Sequence, residues 1–369
     1  MKYYCKRAFD HAQMMDNGEI IPCCPPWVDH YSYGNINDGS YEEIWNSEKA
    51  QAFRESILDG SYRFCNENSC PYLTAKIDPV VPIENLTAEI QKDVIHKKTI
   101  LDHGPFEVQF CYDRSCNLSC PSCRREVIVV SGKRKEEILE IQEKFKSGFL
   151  KNAKTFVITG SGDAFASPVF RKFLQTLQKS DAPELEDIVI LTNGLFLPKY
   201  WDTLSSFAIE KITTISVSID ASKEETYNIN RRGGDWEELL DSLRFISNLS
   251  PTFSASFVVQ ENNFVEMRPF VQMCMDYSVD HIQFQIIEPD FIRDLGYNDY
   301  LDEWINKAVH EKSHPKHNDL LKIIKDEFFD PYISNSVRGN DKELTIDMGP
   351  LYNLRNGEDI SQYNMMRQK

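Results

Sequence analysis

The sequence predicts an α/β protein built on a parallel sheet with helices outside it, either an open sheet or a barrel. Three observations carry that prediction. Six strand-length apolar runs lie between about residues 105 and 290, rich in Val, Ile, Phe and Thr. One-sided helical patterns lie between them. The two kinds of segment alternate, β then α, as parallel strands joined by crossover helices do.

The runs are FEVQF (106–110), TFVIT (155–159), IVILT (188–192), ITTISVSI (212–219), FSASFVV (253–259) and HIQFQII (281–287). Ile138, Ile141, Phe145 and Phe149 form the helical stripe after the first run. Phe170, Phe173, Leu174 and Leu177 form the next. Trp236, Leu239, Leu240 and Leu243 follow the fourth run, and Phe270, Met273, Cys274 and Tyr277 follow the fifth. Ahead of this region, residues 1–75 hold five cysteines, two Gly-containing turns (DNGE, NDGS) and one helix. Ser40 and Glu43 make a capping-box pattern for that helix, Ile44, Trp45, Phe53 and Ile57 give its apolar face, and Gly60 is its stop. Residues 76–104, including DPVVPIEN, read as a linker. From 291 to 369 the chain is polar and partly helical (YLDEWINKAV, DLLKIIKDEF) and ends in a Met- and Gln-rich tail. No internal repeat or low-complexity segment stands out.

A length of 369 residues is a prior for about two or three domains. With 41% hydrophobic and 27% charged residues, the chain can build a sizeable core. Its net charge of −16 argues against nucleic acid and against an anionic membrane surface as partners. The N-terminus, MKYYCKRAFDHAQ, has no apolar secretion run, and no stretch reaches the roughly 18 apolar residues of a membrane span. A reducing cytoplasm is therefore expected, where ten cysteines read as metal ligands or reactive thiols before disulfides.

The densest chemistry is FCYDRSCNLSCPSC at 110–123. Cys116, Cys120 and Cys123 form a C-x3-C-x2-C triplet starting a few residues after the first run. A structural zinc site wants four ligands, usually in two C-x2-4-C halves, and no fourth ligand follows closely here. In parallel barrels, active sites gather on loops at the carboxyl ends of strands. The same ends carry TGSGDAFASP (159–168), TNG (192–194), Ser218 with Asp220, and Glu288. Thiolates, a glycine-rich acidic turn and small polar groups thus converge on one rim. Thiolates suit iron–sulfur clusters as well as zinc, and three of them leave one iron of a cubane open.

C-x3-C-x2-C after a first strand, GSGD after a second, then TNG and SVSIDA resemble the radical S-adenosylmethionine (radical SAM) superfamily over about residues 105–290. The resemblance implies a partial (β/α)6 TIM-like barrel, flanked by a small cysteine-rich N-terminal module and a partly helical C-terminal extension. It implies that Cys116, Cys120 and Cys123 hold a SAM-binding 4Fe-4S cluster. Gly160, Ser161, Gly162 and Asp163 match the turn that contacts the methionine amine, and Asn193 and Ser218 match polar positions near the ribose. Ser122 departs from the aromatic residue usual before the third cysteine. The implied chemistry is electron transfer into SAM, release of a 5′-deoxyadenosyl radical and hydrogen abstraction from a substrate, with the protein supplying position and shielding. A reductant such as flavodoxin or ferredoxin follows as a partner.

At the N-terminus, Cys5, Gly18 and Cys23 make C-x12-G-x4-C, with FCNENSCPYL downstream. This resembles SPASM/twitch auxiliary iron–sulfur modules, which in known relatives usually follow the barrel. The implied ligands of a second 4Fe-4S cluster are Cys5, Cys23, Cys65 and Cys70, with Cys24 competing for the second place. On spacing alone, zinc and a cluster are equal candidates; the adjacent barrel motif favours the cluster.

Plainer readings stand beside these. Cys111 and Cys274 read as packed thiols. Asp163 can simply cap the following helix, TNG can be only a turn, and HPKH (314–317) is a polar loop. Arg231 and Arg232 can reach a carboxylate or be solvated, and Glu288 can bind substrate or be merely exposed. No histidine pair stands at metal-ligand spacing, and no catalytic side chain is singled out. Three functions compete. The first is redox-type or epimerising modification of a sugar, small metabolite or short peptide; the second is maturation of a ribosomal peptide by crosslinking or oxidation. The third is a non-catalytic iron–sulfur or zinc scaffold, which has no use for GSGD. No winged peptide-docking domain is visible before residue 105, which favours the first.

Overall fold

The structure is a computed structural model that describes residues 2–67, 70, 72–73, 76–287, 306–333, 344–358 and 360. Its residues form two compact units. One comprises 1–115, 129–189 and 203–212; the other comprises 116–128, 190–202 and 213–369. The fold is α/β with mostly parallel strands, as the alternation of apolar runs and helical stripes predicts.

The first unit opens with β1 (Tyr3–Cys5), β2 (His11–Met15), β3 (Glu19–Ile21) and β4 (Gly34–Asn35). Gly18 makes the turn between β2 and β3 with φ +86°, and a Cβ there would lie 2.8 Å from Asn35 Oδ1. The helix expected from Ser40 begins there, with Ser40 Oγ accepting from Glu43 N (3.3 Å) and Glu43 Oε2 accepting from Ser40 N (2.8 Å). It does not run through to Gly60 as one piece. Tyr41–Trp45 ends at Asn46, and a second helix, Glu48–Asp59, starts from its own cap, Ser47. Asn46 explains the break, because its side chain is taken up by both the N–H and the C=O of Leu101. Gly60 stops the second helix at φ +82°.

Residues 76–104 hold β5 (Val80–Pro82), antiparallel to β1, and the helix Ala88–Ile95. Next comes β6 (Glu107–Cys111), the first of the six expected runs. Its partners are unexpected. On one side it pairs in parallel with β7 (Thr155–Ile158), and on the other with β2, register His11↔Glu107 to Met15↔Cys111. The order in this unit is therefore β4-β3-β2-β6-β7.

Arg54, fully buried in the N-terminal part, donates to the carbonyls of Ala8, Trp45 and Thr99 and to Asn46 Oδ1. Tyr41 lies across the helix Gly132–Gly148, where a Cβ on Gly148 would come within 2.5 Å of it. Behind β6 and β7, Phe110, Phe145, Phe156 and Phe173 pack ring against ring. Full burial of each such ring is worth about 1.5–3 kcal/mol.

β8 (Asp187–Thr192) is divided between the units. The second unit contains β9 (Ile212–Ser218, from 213), β10 (Thr252–Val259), β11 (His281–Ile286) and β12 (Thr345–Asp347), all parallel. β12 is an addition that the sequence pattern did not indicate. One sheet face is apolar: Phe257 and Phe284 pack on Phe270 of the helix Met267–Asp276. Of the C-terminal patterns, DLLKIIKDEF contains most of the helix His317–Ile324, while residues 300–305 and Glu288 lie outside the described residues. Among the described residues no helix is long and apolar enough to cross a membrane.

Candidate metal centres

All ten cysteines are free thiols, and seven of them form two groups. In the first unit, Cys5 ends β1, Cys23 follows β3, and Cys65 and Cys70 lie on the segment after Glu48–Asp59. Backbone bonds hold that segment, among them Cys65 N to Tyr62 O (2.7 Å), Asn66 N to Trp27 O (2.8 Å) and Cys70 N to Asn66 O (2.9 Å). Burial pushes the Cys5 thiol up, and the neighbouring Cys23, Cys65 and Cys70 push it further. Cys65 is raised by burial and by Cys70 and Cys23; Cys70 is pushed up to about 11 by burial and Cys23. The charge of Cys23 bears on the other three thiols, and a donor set of this kind is one that a cation would stabilise as thiolates. Cys24 opens the turn Pro25–Trp27, its carbonyl accepting from Trp27 N. Arg7 donates from Nη1 to Cys23 Sγ at 3.1 Å, its guanidinium lying over the rings of Trp27 and Tyr72.

In the second unit, Cys116 and Cys120 are buried and Cys123 is half-buried. Cys116 N donates to Ile128 O, closing the loop, and a turn brings Cys123 N and Arg124 N onto Cys120 O. Each thiol meets its own nitrogen donor. Asn193 Nδ2 is 3.8 Å from Cys116 Sγ, Arg231 Nη1 is 3.8 Å from Cys120 Sγ, and Arg124 Nε is 3.4 Å from Cys123 Sγ. The charges of all three thiols bear on Arg124. Arg231, read beforehand as either a carboxylate ligand or a solvated side chain, is largely buried and ion-paired with Asp220 at 2.8 Å. Burial opposes its charge, but Asp220 and Cys120 outweigh it and hold the guanidinium protonated. Burial raises the Cys120 thiol, with Arg231 opposing. Arg232 is the exposed member of the pair, bonded to Ser119 Oγ and Arg125 O.

The other candidates are equally well placed to be judged. In the first unit, a Cβ on Gly162 would stand 2.6 Å from Ser115 O and 2.7 Å from Asp113 O, and one on Gly160 would stand 2.4 Å from Cys111 Sγ. The glycines therefore let the turn press onto 113–115, the residues just before Cys116. Ser161 Oγ donates to Cys111 O. Asp163 is buried, and its Oδ1 accepts from Phe165 N and Ala166 N, bracing the turn ahead of the helix Pro168–Thr176, whose cap is Ser167 and not Asp163. Asp113, which the sequence did not single out, accepts from Ser167 Oγ (2.5 Å) and Ser115 N (2.8 Å). In the second unit, Gly194 takes φ +89° in TNG, while Asn193 Nδ2 also reaches Asn117 Oδ1 (2.8 Å). Ser218 Oγ lies 3.1 Å from Ser256 Oγ. Cys111 and Cys274 are buried thiols raised by desolvation, Cys111 to about 12.

Among the described residues no three His, Cys, Asp or Glu side chains stand ready to chelate a single metal ion. Both thiol groups fit iron–sulfur chemistry by donor type, soft thiolates backed by N–H donors to sulfur.

Comparison with known proteins agrees with this donor chemistry. Residues 5–71 match the SPASM family of iron–sulfur cluster-binding domains, and residues 113–274 match the radical SAM superfamily. The GTP 3′,8-cyclase of Alkaliphilus oremlandii is 27% identical over 169 residues, covering 45% of this chain and 51% of that protein. The GTP 3′,8-cyclase of Petrotoga mobilis is 29% identical over 178 residues, covering 46% and 51%. The chain thus spans about half the length of these relatives. Among solved structures, Streptococcus suis SuiB bound to its precursor peptide SuiA aligns over 90% of this chain and 74% of that one, at 13% identity and TM-score 0.43. The two domains imply a 4Fe-4S cluster with SAM, and an auxiliary iron–sulfur cluster. The chain therefore carries a radical SAM superfamily domain at residues 113–274, preceded by a SPASM iron–sulfur domain at residues 5–71.

Proposed function

We propose that this chain is a radical SAM enzyme carrying out a redox-type or epimerising modification of a sugar, small metabolite or short peptide. Cys116, Cys120 and Cys123 hold its SAM-binding 4Fe-4S cluster, and Cys5, Cys23, Cys65 and Cys70 hold the auxiliary cluster. When bound, the cluster and SAM supply an electron and a 5′-deoxyadenosyl radical that takes a hydrogen atom from substrate. The observation that carries this reading is the number of thiols: three in the loop, each within reach of nitrogen donors, against four in the N-terminal set.

The chain's own residues supply charge and position. Arg124 and Arg231 place positive charge beside Cys123 and Cys120, and Arg231 opposes the burial that raises the Cys120 thiol. Asp220 orients Arg231 from behind. Gly160, Ser161, Gly162 and Asp163 meet the methionine end of SAM, with Asp163 Oδ1 bracing the turn from within. Asn193 and Ser218 serve the cofactor from the strand ends. A small electron carrier such as flavodoxin or ferredoxin supplies the electron, in a cytoplasm that keeps thiols reduced. Anaerobic protein given dithionite and SAM is expected to release 5′-deoxyadenosine, and Cys120→Ala to abolish it. A variant that cleaves SAM as well as the wild type would remove the assignment.

A further inference from the structure

β9, β10 and β11 contain no Lys, Arg, Asp or Glu. Their two faces differ sharply. Val217, Ala255 and Ile282 share one row of the apolar face, and Phe257 and Phe284 another. The opposite face carries small hydroxyls and amides, with His281 beside Ser254 and Val258 beside Gln285. Ser216 pairs with Ser254 in one row; Ser218, Ser256 and Gln283 align in the next. Ser218 and Ser256 touch at 3.1 Å, and Gln285 Nε2 donates to Gln283 Oε1 at 2.9 Å. These side chains are buried or half-buried, so the polarity is not a solvated exterior.

Gln260 extends the same alternation, two residues past Val258 and one past the end of β10. Its backbone is held by Asn263, whose Oδ1 accepts from Gln260 N at 2.7 Å. The side chain is 3% exposed, yet its Nε2 has no hydrogen-bond partner. A buried amide donor left unsatisfied keeps the cost of its lost hydration, and an arriving acceptor removes that cost. Native structures rarely keep such a donor without a use for it.

We propose that the hydroxyl-and-amide face of β10 and β11, beside the cofactor residue Ser218, is the substrate wall of this domain, and that it takes an uncharged group rich in hydroxyl or carbonyl acceptors, with Gln260 donating to it. The inference rests on the radical SAM reading and names the substrate chemistry for it. Small serines leave room, and amides from two strands give paired donors and acceptors. A nucleoside triphosphate would need cations to balance its phosphates, and these three strands have none. The charged side chain in these rows is an exposed carboxylate, Asp347, on the adjoining β12 beside Gln283.

Ligand-detected saturation-transfer NMR on the anaerobically reconstituted full chain tests this with four probes. They are N-acetylglucosamine, a capped Ser-Asn-Ala tripeptide, GTP and SAM. At least one neutral probe should give a signal that falls five-fold or more in both Gln260→Leu and Ser256→Ala, whereas GTP should give none. Which neutral probe responds separates a sugar from a peptide source. Neutral signals unchanged in both variants, no neutral signal at all, or a GTP signal lost in Ser256→Ala would overturn the proposal. Loss of SAM and neutral-probe signals together in Gln260→Leu would also overturn it, by assigning Gln260 to the cofactor. No SAM signal in the wild type would overturn the underlying radical SAM reading and this proposal with it.

Discussion

The two thiol groups of this chain are prepared in different ways. The N-terminal four are crowded, and three of them, Cys5, Cys65 and Cys70, are pushed upward by burial and by one another, with one cation, Arg7, touching Cys23. The loop three have Arg124, Arg231 and the Asn193 amide beside them, and Cys116 also accepts from Leu118 N. Mutual repulsion among neighbouring thiols suits a closed site in which the metal balances the charge. A donor for every sulfur suits a site whose thiolates must also tolerate a change of electron count, because hydrogen bonds to sulfur tune reduction potential.

The sharpest way to break this comparison is to delete one group and count iron. Replacing Cys116, Cys120 and Cys123 together with Ala is expected to lower iron from about eight to about four atoms per chain, leaving the closed site intact. Zinc in place of the remaining iron would refute the auxiliary-cluster assignment.

The scaffolds differ as well. Arg54 ties together four segments of the N-terminal domain through buried bonds, so Arg54→Ala strands several carbonyls and should lower stability by about 3–5 kcal/mol in chemical denaturation. At the entry to the loop the device is space rather than charge. Gly162→Ala forces a Cβ against two backbone oxygens and should cost about 1–3 kcal/mol, read as a lower melting temperature and reduced iron loading.

The smallest expected effect concerns pH. Asp10 is raised from 3.8 to about 7 by burial and Glu107, while the adjacent His11 is lowered from 6.5 to about 4 by burial and Arg7. The stability Asp10 contributes is present below about pH 4 and is lost as pH rises through about 7. That of His11 is present above about pH 6.5 and is lost as pH falls through about 4. The two slopes oppose each other, so the wild type should be nearly flat across this window. Asp10→Asn removes one slope: its stability should climb between pH 4 and 7 and exceed the wild type at pH 8 by on the order of 2 kcal/mol, allowing for solvent access. A variant as flat as the wild type would show that the pair is not balanced.

What the sequence made legible was whatever leaves a local trace. All six runs became strands because Val, Ile, Phe and Thr repeat within a few positions, and the Ser40–Glu43 cap is a four-residue pattern. The thiol groups were visible because cysteine is scarce. The donors to those thiols were not, since Asn193 and Arg231 lie some 70 to 110 positions from their sulfurs and nothing near them in sequence marks the pairing. Arg54 sits on a helix in company that reads as solvated, and only its burial reveals its role. Asp163 reads as a cofactor contact or a helix cap, but its Oδ1 braces the turn ahead of the helix, and Ser167 is the cap.

The ladder from β2 to β6 has a practical side. A barrel fragment made without its first 75 residues would expose the flank of β6, a five-residue strand whose N–H and C=O groups on that side would lose the partners β2 provides. Such a margin invites pairing with whatever strand comes by, a second copy included. Anyone trimming this protein for study should expect the shortened piece to clump, and should keep the leader strand attached even when only the cofactor chemistry is of interest.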